Sequence, residues 1–367
     1  MKLLFCGDTV PTELSAPLFA KGDVKSLFSD VADVFAAHDR VVVNLECALT
    51  ETENRIRKCG PNLKGPSASA KTLKAAGVTD AGLANNHVLD FGVEGLHNTE
   101  KALDEAGVNW FGAGENDDDA AKPFFMELGG KKIAVLSYNE HEYTYALKDQ
   151  AGAAPFRPFA AMAQINAVKK QADYVFVMYH GGKEHCEYPS PRLHELCHAM
   201  IDLGADAVFC QHSHIIGCKE EYNGGMIVYG QGNFHFLKYL DTPGWCTGLM
   251  VSVDVSDKLK YTFIPVEVKD NGIALVPDDR AREVLAAFEK RSESLLDGTW
   301  TDGWKAFVES VSEMYTNVVK NAYTEPDNPM RLEHFSHYLD CEAHLDVFKE
   351  LYQTWHLTKN DGAEKEM

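Results

Sequence analysis

The feature that most constrains the fold is a regular alternation of short apolar runs with amphipathic stretches, from the first residue to about Ile273. The apolar runs are rich in Val, Ile and Phe and are bounded by Gly, Asn, Asp or Pro, which is typical of buried strands. Several of the stretches between them carry apolar residues at the i, i+3, i+4 spacing of a helix packed on one side. Repeated strand–helix–strand order indicates an α/β domain built in layers.

The later strands of this region follow one another with no helix between them, so we expect part of the sheet system to be antiparallel or mixed. The predicted strands are Lys2–Cys6, Val41–Leu45, Ala81–Ala84, Asn109–Phe111, Phe124–Leu128, Lys132–Leu136, Tyr174–Tyr179, Ala207–Cys210, Met226–Tyr229, Leu249–Val255 and Tyr261–Val268. The predicted helices between them are Lys25–Ala37, Ala68–Ala76, Val93–Ala106, Phe159–Gln171 and Ser190–Leu203.

The pattern changes at Pro277-Asp278-Asp279, and the rest of the chain has helical periodicity. The predicted helices there are Arg280–Leu296, Trp304–Ala322 and Arg331–Trp355. From residue 276 onward there are 10 basic and 19 acidic residues, so these helices have an acidic exterior. We therefore predict an α/β domain over residues 1–276 and a helical C-terminal extension over 277–367, whose surface is a candidate for homo-oligomer formation.

Charge and cysteine usage exclude several classes of protein. Lys and Arg total 35 against 55 for Asp and Glu, a formal net charge of −20. Such a surface repels phosphate backbones and anionic lipid, so we expect no nucleic acid and no membrane as partners. The nine cysteines include no CxxC pair, which argues against a zinc ribbon or a disulfide framework. With neither a signal peptide nor a membrane anchor recognisable in the sequence, a cytoplasmic location is predicted.

Metal-capable side chains fall at the ends of five predicted strands. These side chains are Asp8, Glu46, Asn86 with the adjacent His87, His180, and the pair His212 and His214. Ligands of open α/β sheets collect at the carboxyl ends of the strands, so residues distant in sequence would converge at one edge. In His212-Ser213-His214, alternate residues on extended backbone would point the same way, toward one ion.

Leaving out His87, the set contains two carboxylates, three imidazoles and one carboxamide oxygen, which suits Zn²⁺, Mn²⁺ or Fe. Six groups are too many for one tetrahedral catalytic ion, but they suffice for two divalent ions that share a bridging carboxylate. His87 is then free to act as a general acid. Taken singly, each residue is explained as a turn residue, a helix cap or a packed histidine. Their joint occurrence at five strand ends favours the metal site.

The motifs around these residues resemble those of a known family. They are Gly7-Asp8, Asn44-Leu45-Glu46, the run from Ala84 to Gly92 (ANNHVLDFG), the run from Tyr179 to Glu184 (YHGGKE), Gln211-His212-Ser213-His214 and Gly230-Gln231-Gly232-Asn233-Phe234. In this order they resemble the capsule-synthesis, CapA/PgsA-like family, which is associated with poly-γ-glutamate and belongs to the calcineurin-like metallophosphatase superfamily. The resemblance spans roughly residues 1–270 and leaves the helical extension uncovered.

The resemblance implies a four-layer αββα sandwich with a two-metal site at the sheet edge. Carried over by position, Asp8 and His214 would hold one ion, Glu46 would bridge, and His87 would assist the leaving group. The second ion would be held by Asn86, His180 and His212. Two departures from the superfamily stand out: Val10 occupies the position of a first-site histidine, and a glutamate replaces the bridging aspartate. The first site is therefore expected to be one ligand short.

Three further residues are predicted to contact substrate. Lys64 lies in a loop where the family often has a basic residue, and Glu184 and His185 follow the His180 motif. Glu184 and His185 could instead orient a ligand imidazole. The histidines of the extension are expected to be surface or packing residues.

Three functions are compatible with these patterns. The first is metal-dependent hydrolysis of a phosphoester, on an anionic small molecule or polymer. The second, from the family link, is capsule polymer biosynthesis or hydrolysis of the γ-glutamyl amide. The third is a non-enzymatic binding or scaffold protein, because the first metal site is short of a ligand.

Overall fold

The computed structural model describes residues 1–140 and 142–358, with side chains through residue 353, and it contains two large sheets packed face to face. The strands are β1 Lys2–Val10, β2 Arg40–Leu45, β3 Ala48–Leu49, β4 Lys64–Gly65, β5 Asp80–Gly82, β6 Asn109–Phe111, β7 Ala113–Gly114, β8 Phe124–Leu128, β9 Lys131–Asn139, β10 Gly152–Ala153, β11 Tyr174–His180, β12 Ala207–Gln211, β13 Lys219–Tyr222, β14 Gly225–Val228, β15 Asn233–Phe236, β16 Thr247–Asp254, β17 Lys260–Lys269 and β18 Gly272–Leu275. The helices are α1 Ala16–Lys21, α2 Val24–Phe28, α3 Val31–Ala36, α4 Ser69–Ala76, α5 Gly92–Ala106, α6 Asp117–Ala120, α7 Pro158–Lys169, α8 Pro191–Asp202, α9 Asp278–Asp297, α10 Trp300–Thr324, α11 Pro329–Asp340 and α12 Glu342–Thr358.

Each sheet combines four parallel strands with antiparallel strands, which lie on one side of them in the first sheet and on both sides in the second. The first has the order β18-β17-β16-β1-β2-β5-β6, with β15 also paired to β1, and the second has the order β13-β14-β12-β11-β9-β8. Strands β1, β2, β5 and β6 run parallel, as do β9, β11, β12 and β14. The parallel strands of each sheet therefore end on one common edge, where loops can bring polar residues together.

Three hydrophobic clusters define four layers. Between the sheets, the ring of Phe5 lies 4.6 Å from that of Phe209 and 5.4 Å from that of Phe176. A second cluster joins the outer face of the first sheet to helices α1–α5, and a third joins the outer face of the second sheet to α7 and α8. Apolar faces are thus buried in the order helix, sheet, sheet, helix, which confirms the predicted four-layer αββα sandwich.

The C-terminal helices belong to the helical layer over the second sheet. Trp304, Tyr315 and Val347 are buried in the same cluster as residues of α7, α8 and β12. The Asp346 carboxylate accepts a hydrogen bond from Ser190 Oγ (2.6 Å) and pairs with Arg192 (2.9 Å), which fixes α12 to the start of α8. None of the described helices is long and apolar enough to cross a membrane.

Two predicted helices are divided in the structure. The helix predicted over Lys25–Ala37 is α2 and α3, because Ser29 has a left-handed backbone (φ 44°) that an α-helix cannot continue through. The helix predicted over Arg331–Trp355 is α11 and α12, separated by the extended backbone of Cys341. Neither break carries a Gly or Pro signal in the sequence. Residues 359–367 of the predicted extension lie outside the described residues.

Trp304→Ala tests how strongly the C-terminal helices support the second sheet. The Trp304 side chain is 1% exposed, so its removal leaves a cavity, and we expect a loss of about 3–5 kcal/mol in the free energy of unfolding. Tyr323→Ala, on the same helix but 75% exposed, should change it by no more than about 0.5 kcal/mol. Urea unfolding measures both, and equal effects of the two substitutions would contradict the packing described.

Candidate metal centre

The first carboxylate of the site, Asp8, lies inside β1 rather than after it. The strand continues to Val10, with irregular pairing around Asp8. A Cβ at the preceding residue, Gly7, would collide with the carbonyl oxygen of Gly232. Only glycine therefore allows this close approach of the two backbones, which brings Asp8 beside Asn233.

Asp8 is fully buried and has polar contacts on both carboxylate oxygens. Its Oδ1 accepts a hydrogen bond from Asn44 Nδ2 (2.7 Å), and its Oδ2 accepts one from the backbone N–H of His212 (3.2 Å). Oδ2 is also 3.3 Å from His214 Nδ1, and Oδ1 is 3.9 Å from His180 Nδ1. Asp8 thus joins the two sheets at their carboxyl edge.

Glu46 lies at the centre of the site without a hydrogen-bond donor. It follows β2, and its backbone N–H donates to Thr9 O (3.0 Å). The side chain is 0% exposed, and among the described residues neither Oε1 nor Oε2 has a hydrogen-bond partner. Oε1 lies 3.5 Å from His180 Nε2 and 3.9 Å from His214 Nε2, at ion-pair range. Burying a carboxylate without a partner costs free energy, so a bound cation would stabilise Glu46 at this position.

Asn86 and His180 approach each other from different sheets. Asn86 Oδ1 is 3.0 Å from His180 Nε2, and Asn86 Nδ2 donates to Glu142 Oε2 (2.7 Å). Glu142 Oε1 in turn lies 3.7 Å from His212 Nε2. Glu142 is a member of the site that the sequence did not indicate, because it lies in an irregular segment after β9 rather than at a strand end.

His87 is held by a buried carboxylate and a buried lysine. Its Nδ1 is 2.6 Å from Asp90 Oδ2, and its Nε2 lies 3.9 Å from Glu46 Oε1. Lys58 Nζ pairs with Asp90 Oδ1 (2.5 Å) and lies 3.2 Å from His87 Nδ1. The Asp90 carboxylate accepts a hydrogen bond from Nδ1–H of His87, so Nε2 is directed at the site.

The histidine pair adopts a different backbone from the one predicted. The prediction of extended backbone is wrong: β12 ends at Gln211, and His212 (φ 81°) and His214 (φ 58°) are both left-handed. Such backbone is rare outside glycine and is concentrated at functional sites. Asn233 Oδ1 lies 3.0 Å from His214 Nδ1, and the Trp245 ring packs 4.6 Å from the imidazole centroid. The side chains converge through this turn.

Mutual charge sets the protonation of the cluster. Burial raises the pKa of Glu46, and the neighbouring Asp8 raises it further, to about 7. Burial alone would also raise the pKa of Asp8, but His214 and His180 lower it to about 2. Burial disfavours charge on His214, yet Glu46 and Asp8 raise its pKa to about 10. Without a metal ion, His214 is thus the cation that balances the carboxylates.

The residues fit a metal centre. Glu46, His212 and His214 each offer a ligand atom, and these atoms lie within 4.8 Å of one another. His212 Nδ1 is buried and has no hydrogen-bond partner among the described residues, as is true of both Glu46 oxygens. Asp8, Asn86 and His180 complete a set of oxygen and nitrogen donors. The six side chains predicted as ligands therefore lie together around Glu46.

A cleft of about 590 Å³ opens over the cluster. Its floor includes His87, His212 and His214, and the segment from Lys58 to Leu63 forms part of its wall. The C-terminal helices supply another part, through Phe307, Val311, Met314, His334, His337, Tyr338, Ala343 and His344. The tail histidines were expected to be surface or packing residues, and His344 does pack, with its Nδ1 2.6 Å from Tyr315 Oη. His334, His337 and His344 also line the cleft, because tertiary packing brings α11 and α12 over the site.

The three predicted substrate contacts have different locations. Glu184 and His185 line the cleft, and Glu184 Oε1 lies 4.0 Å from His214 Nε2. Lys64 instead donates to the Thr52 carbonyl (2.9 Å) and pairs with Glu53 (2.7 Å). The lysine beside His87 is Lys58, which has no motif in the sequence to mark it. Its role becomes visible only through its contact with Asp90.

The family of these motifs is established by comparison with known proteins. The family described as bacterial capsule synthesis protein PGA_cap matches residues 2–238, more than half of the chain. The chain belongs to this family. The match covers β1 to β15 and therefore every predicted metal ligand.

Curated relatives agree with this assignment. The capsule biosynthesis protein CapA of Bacillus anthracis is 34% identical over 259 residues, which is 68% of this chain and 59% of the relative. The PGA biosynthesis protein CapA of Bacillus subtilis is 32% identical over 313 residues, covering 83% of this chain and 81% of the relative. Among solved structures, the 5'-nucleotidase precursor from Thermus thermophilus is similar at 12% identity and a TM-score of 0.45, over 79% of this chain and 58% of that one.

Glu46→Gln tests the electrostatic state of the metal-free centre. Because the folded-state pKa is about 7 against 4.5 for a free carboxyl, the folded protein binds an extra proton between these pH values. The contribution of Glu46 to stability therefore falls as pH rises, by at most about 1.4 kcal/mol per pH unit. In chelator-treated protein, we expect Glu46→Gln to become progressively more stable than wild type from pH 5 to pH 8.

The measurement is urea unfolding at several pH values. Glu221→Gln, at an exposed position of edge strand β13, is the matched control and should track wild type throughout. A pH-independent difference between Glu46→Gln and wild type would show that Glu46 does not titrate in this range.

Proposed function

We propose that this protein is a metal-dependent hydrolase that cleaves a phosphoester bond. The observation that carries the proposal is the buried Glu46 carboxylate, which lies without a hydrogen-bond donor among groups that are all metal ligands in type. A purely structural carboxylate would be paired with a donor, as Asp346 is with Ser190 and Arg192. The proposal therefore depends on Glu46 as the shared metal ligand.

The residues divide into two sets that would hold two divalent ions, Mn, Zn or Fe. Asp8 and His214 form one set, Asn86, His180 and His212 form the other, and Glu46 is shared. When bound, such ions supply positive charge for substrate oxygens and lower the pKa of a bound water. Thr9 O accepts a hydrogen bond from the Glu46 backbone N–H and fixes the backbone at this residue. Asn233 Oδ1, 3.0 Å from His214 Nδ1, orients the imidazole of His214.

His87 is the proposed proton donor to the leaving oxygen. Asp90 accepts a hydrogen bond from its Nδ1–H, which would stabilise the imidazolium and leaves Nε2 facing the cluster. Lys58 neutralises the second oxygen of Asp90, so the carboxylate is not an uncompensated buried charge. His87 lines the cleft floor, where a leaving group would lie.

Bound cations would make the cleft favour an anionic substrate although the protein as a whole is acidic. Lys58 and Lys183 line it together with histidines from the loops and from the C-terminal helices. The acidic residues in the lining are Glu142 and Glu184. With bound cations added, the cleft would attract an anion locally, while the net charge of −20 excludes general binding of polyanions.

A second candidate function is a role in capsule polymer biosynthesis, by cleavage of a γ-glutamyl amide or by assistance to synthesis. Membership of the capsule synthesis family and the name of the Bacillus subtilis relative, PGA biosynthesis protein CapA, favour it. Poly-γ-glutamate carries a carboxylate on every residue, so cations bound at the centre would attract it as they would a phosphoester. A protein that binds the polymer without cutting it would fill the non-enzymatic role instead.

Hydrolysis should depend on His87. With added Mn²⁺, we expect wild type to hydrolyse one or more members of a phosphomonoester and phosphodiester panel, and His87→Ala to lower kcat by about 10²–10⁴-fold. His97→Ala, at an exposed position on α5, is the matched control and should retain full activity. The metal content of each variant, measured by elemental analysis, separates loss of the proton donor from loss of metal. Metal-loaded wild type that hydrolyses no member of the panel would refute phosphoester hydrolysis.

Chain length of poly-γ-glutamate tests the second candidate. Incubation with the metal-loaded protein should shorten the polymer, and α-linked polyglutamate should remain intact because only the linkage differs. Size-exclusion chromatography with light scattering measures both. Unchanged γ-linked polymer counts against amide cleavage, and retention of the polymer by the protein without shortening would support a binding role.

A further inference from the structure

A second cluster of metal-capable side chains lies on α8 and β13, outside the candidate metal centre. His194 and His198 are one helical turn apart, so both imidazoles project from the same face of α8. Glu220 of β13 meets them there. The three side chains are 19%, 20% and 12% exposed, so the cluster is half-buried but open to solvent.

The ligand atoms converge on one point. Glu220 Oε2 is 3.3 Å from His194 Nε2 and 2.9 Å from His198 Nε2. Bonds of about 2.0–2.1 Å in a tetrahedral zinc site place neighbouring ligand atoms about 3.3 Å apart. The observed separations therefore need only small adjustments to hold one ion. Two imidazoles and a carboxylate are also a donor set that zinc uses in proteins, with water in the fourth position.

We propose that His194, His198 and Glu220 bind a structural zinc ion that joins helix α8 to edge strand β13. Glu220 Oε2 is the atom on which both imidazoles converge. Tyr229 Oη donates to the same Oε2 at 2.9 Å and holds the carboxylate in place. This is the kind of outer contact that orients a metal ligand.

Aromatic rings frame both imidazoles. Trp300 stacks on His194 with ring centroids 4.8 Å apart, and Tyr222 stacks on His198 at 3.6 Å. Trp300 begins α10, the helix that contributes Phe307, Val311 and Met314 to the wall of the cleft. The zinc ion would fix His194 and therefore stabilise its contact with Trp300 at the start of α10, the helix that lines this side of the cleft.

The spacing of His194 and His198 matches the H-E-x-x-H pattern, in which the glutamate of metallopeptidases acts as a base. Here Glu195 is solvent-exposed, and stacked aromatic rings flank the imidazoles where a substrate would need access. These features favour a structural ion over a catalytic one. The alternative without metal is a hydrogen-bonded triad, in which both histidines donate to Glu220.

Zinc content of the full chain distinguishes the two. After chelation and equilibration with zinc alone at buffered concentration, we expect Glu220→Gln and His198→Ala to hold about one zinc equivalent per chain less than wild type. Glu195→Gln, the same substitution type on the same helix, is the matched control and should bind as wild type does. The lost equivalent should be accompanied by loss of part of the zinc-dependent increase in Tm.

Anomalous diffraction from wild-type crystals at the zinc edge locates the ion without any substitution. A peak between the two Nε2 atoms and Glu220 Oε2 is the expected result, separate from any peak near Glu46. Equal zinc content in wild type and Glu220→Gln would overturn the proposal, and so would the absence of that peak. If His198→Ala fails to fold, Glu220→Gln and the diffraction experiment still decide.

Discussion

The site depends on Glu46, a buried carboxylate to which none of the described residues donates a hydrogen bond. Glu46 is removed from water at the junction of the two sheets, where a charge without a partner is costly. The surrounding groups respond to it: His214 is held as a cation, while Asp8 keeps its charge through the neighbouring histidines. An arrangement of this kind is tolerated because the fold fixes each member from a different element, and a bound cation would resolve the remaining imbalance.

The four-layer sandwich explains how these elements meet. Asp8 and Glu46 come from neighbouring parallel strands of the first sheet, and His180 and His212 from neighbouring parallel strands of the second. Packing of the sheets through Phe5, Phe176 and Phe209 aligns their carboxyl edges. The same apolar contact that stabilises the domain therefore also closes the site.

The C-terminal helices lie outside the part of the chain that matches the family, yet they contribute residues to the cleft. They cover the outer face of the second sheet and extend over the cleft, where His337 and Tyr338 contribute to its wall. Arg57 in the loop beside the site pairs with Glu333 of α11 at 2.6 Å, so the two walls are in contact.

Sequence patterns were sufficient to predict the four layers and the six side chains that lie together at the site. Strand periodicity and polar residues at strand ends are local signals. They were not sufficient for Lys58 and Glu142, which lie in irregular segments and are recognised only by their contacts with Asp90 and Asn86. The left-handed turn at His212 was missed because neither glycine nor proline marks it.

The sequence by itself thus determined the alternation of strands and helices, the donor types of the site and their order along the chain, since each follows from residue type and spacing. Tertiary structure alone decided which carboxylate lacks a hydrogen-bond partner among the described residues, which lysine lies beside His87 and which helices line the cleft. These depend on contacts between residues far apart in the chain, such as Lys58 with Asp90 and His180 with Asn86. No local pattern encodes such contacts, because the packing of whole elements creates them.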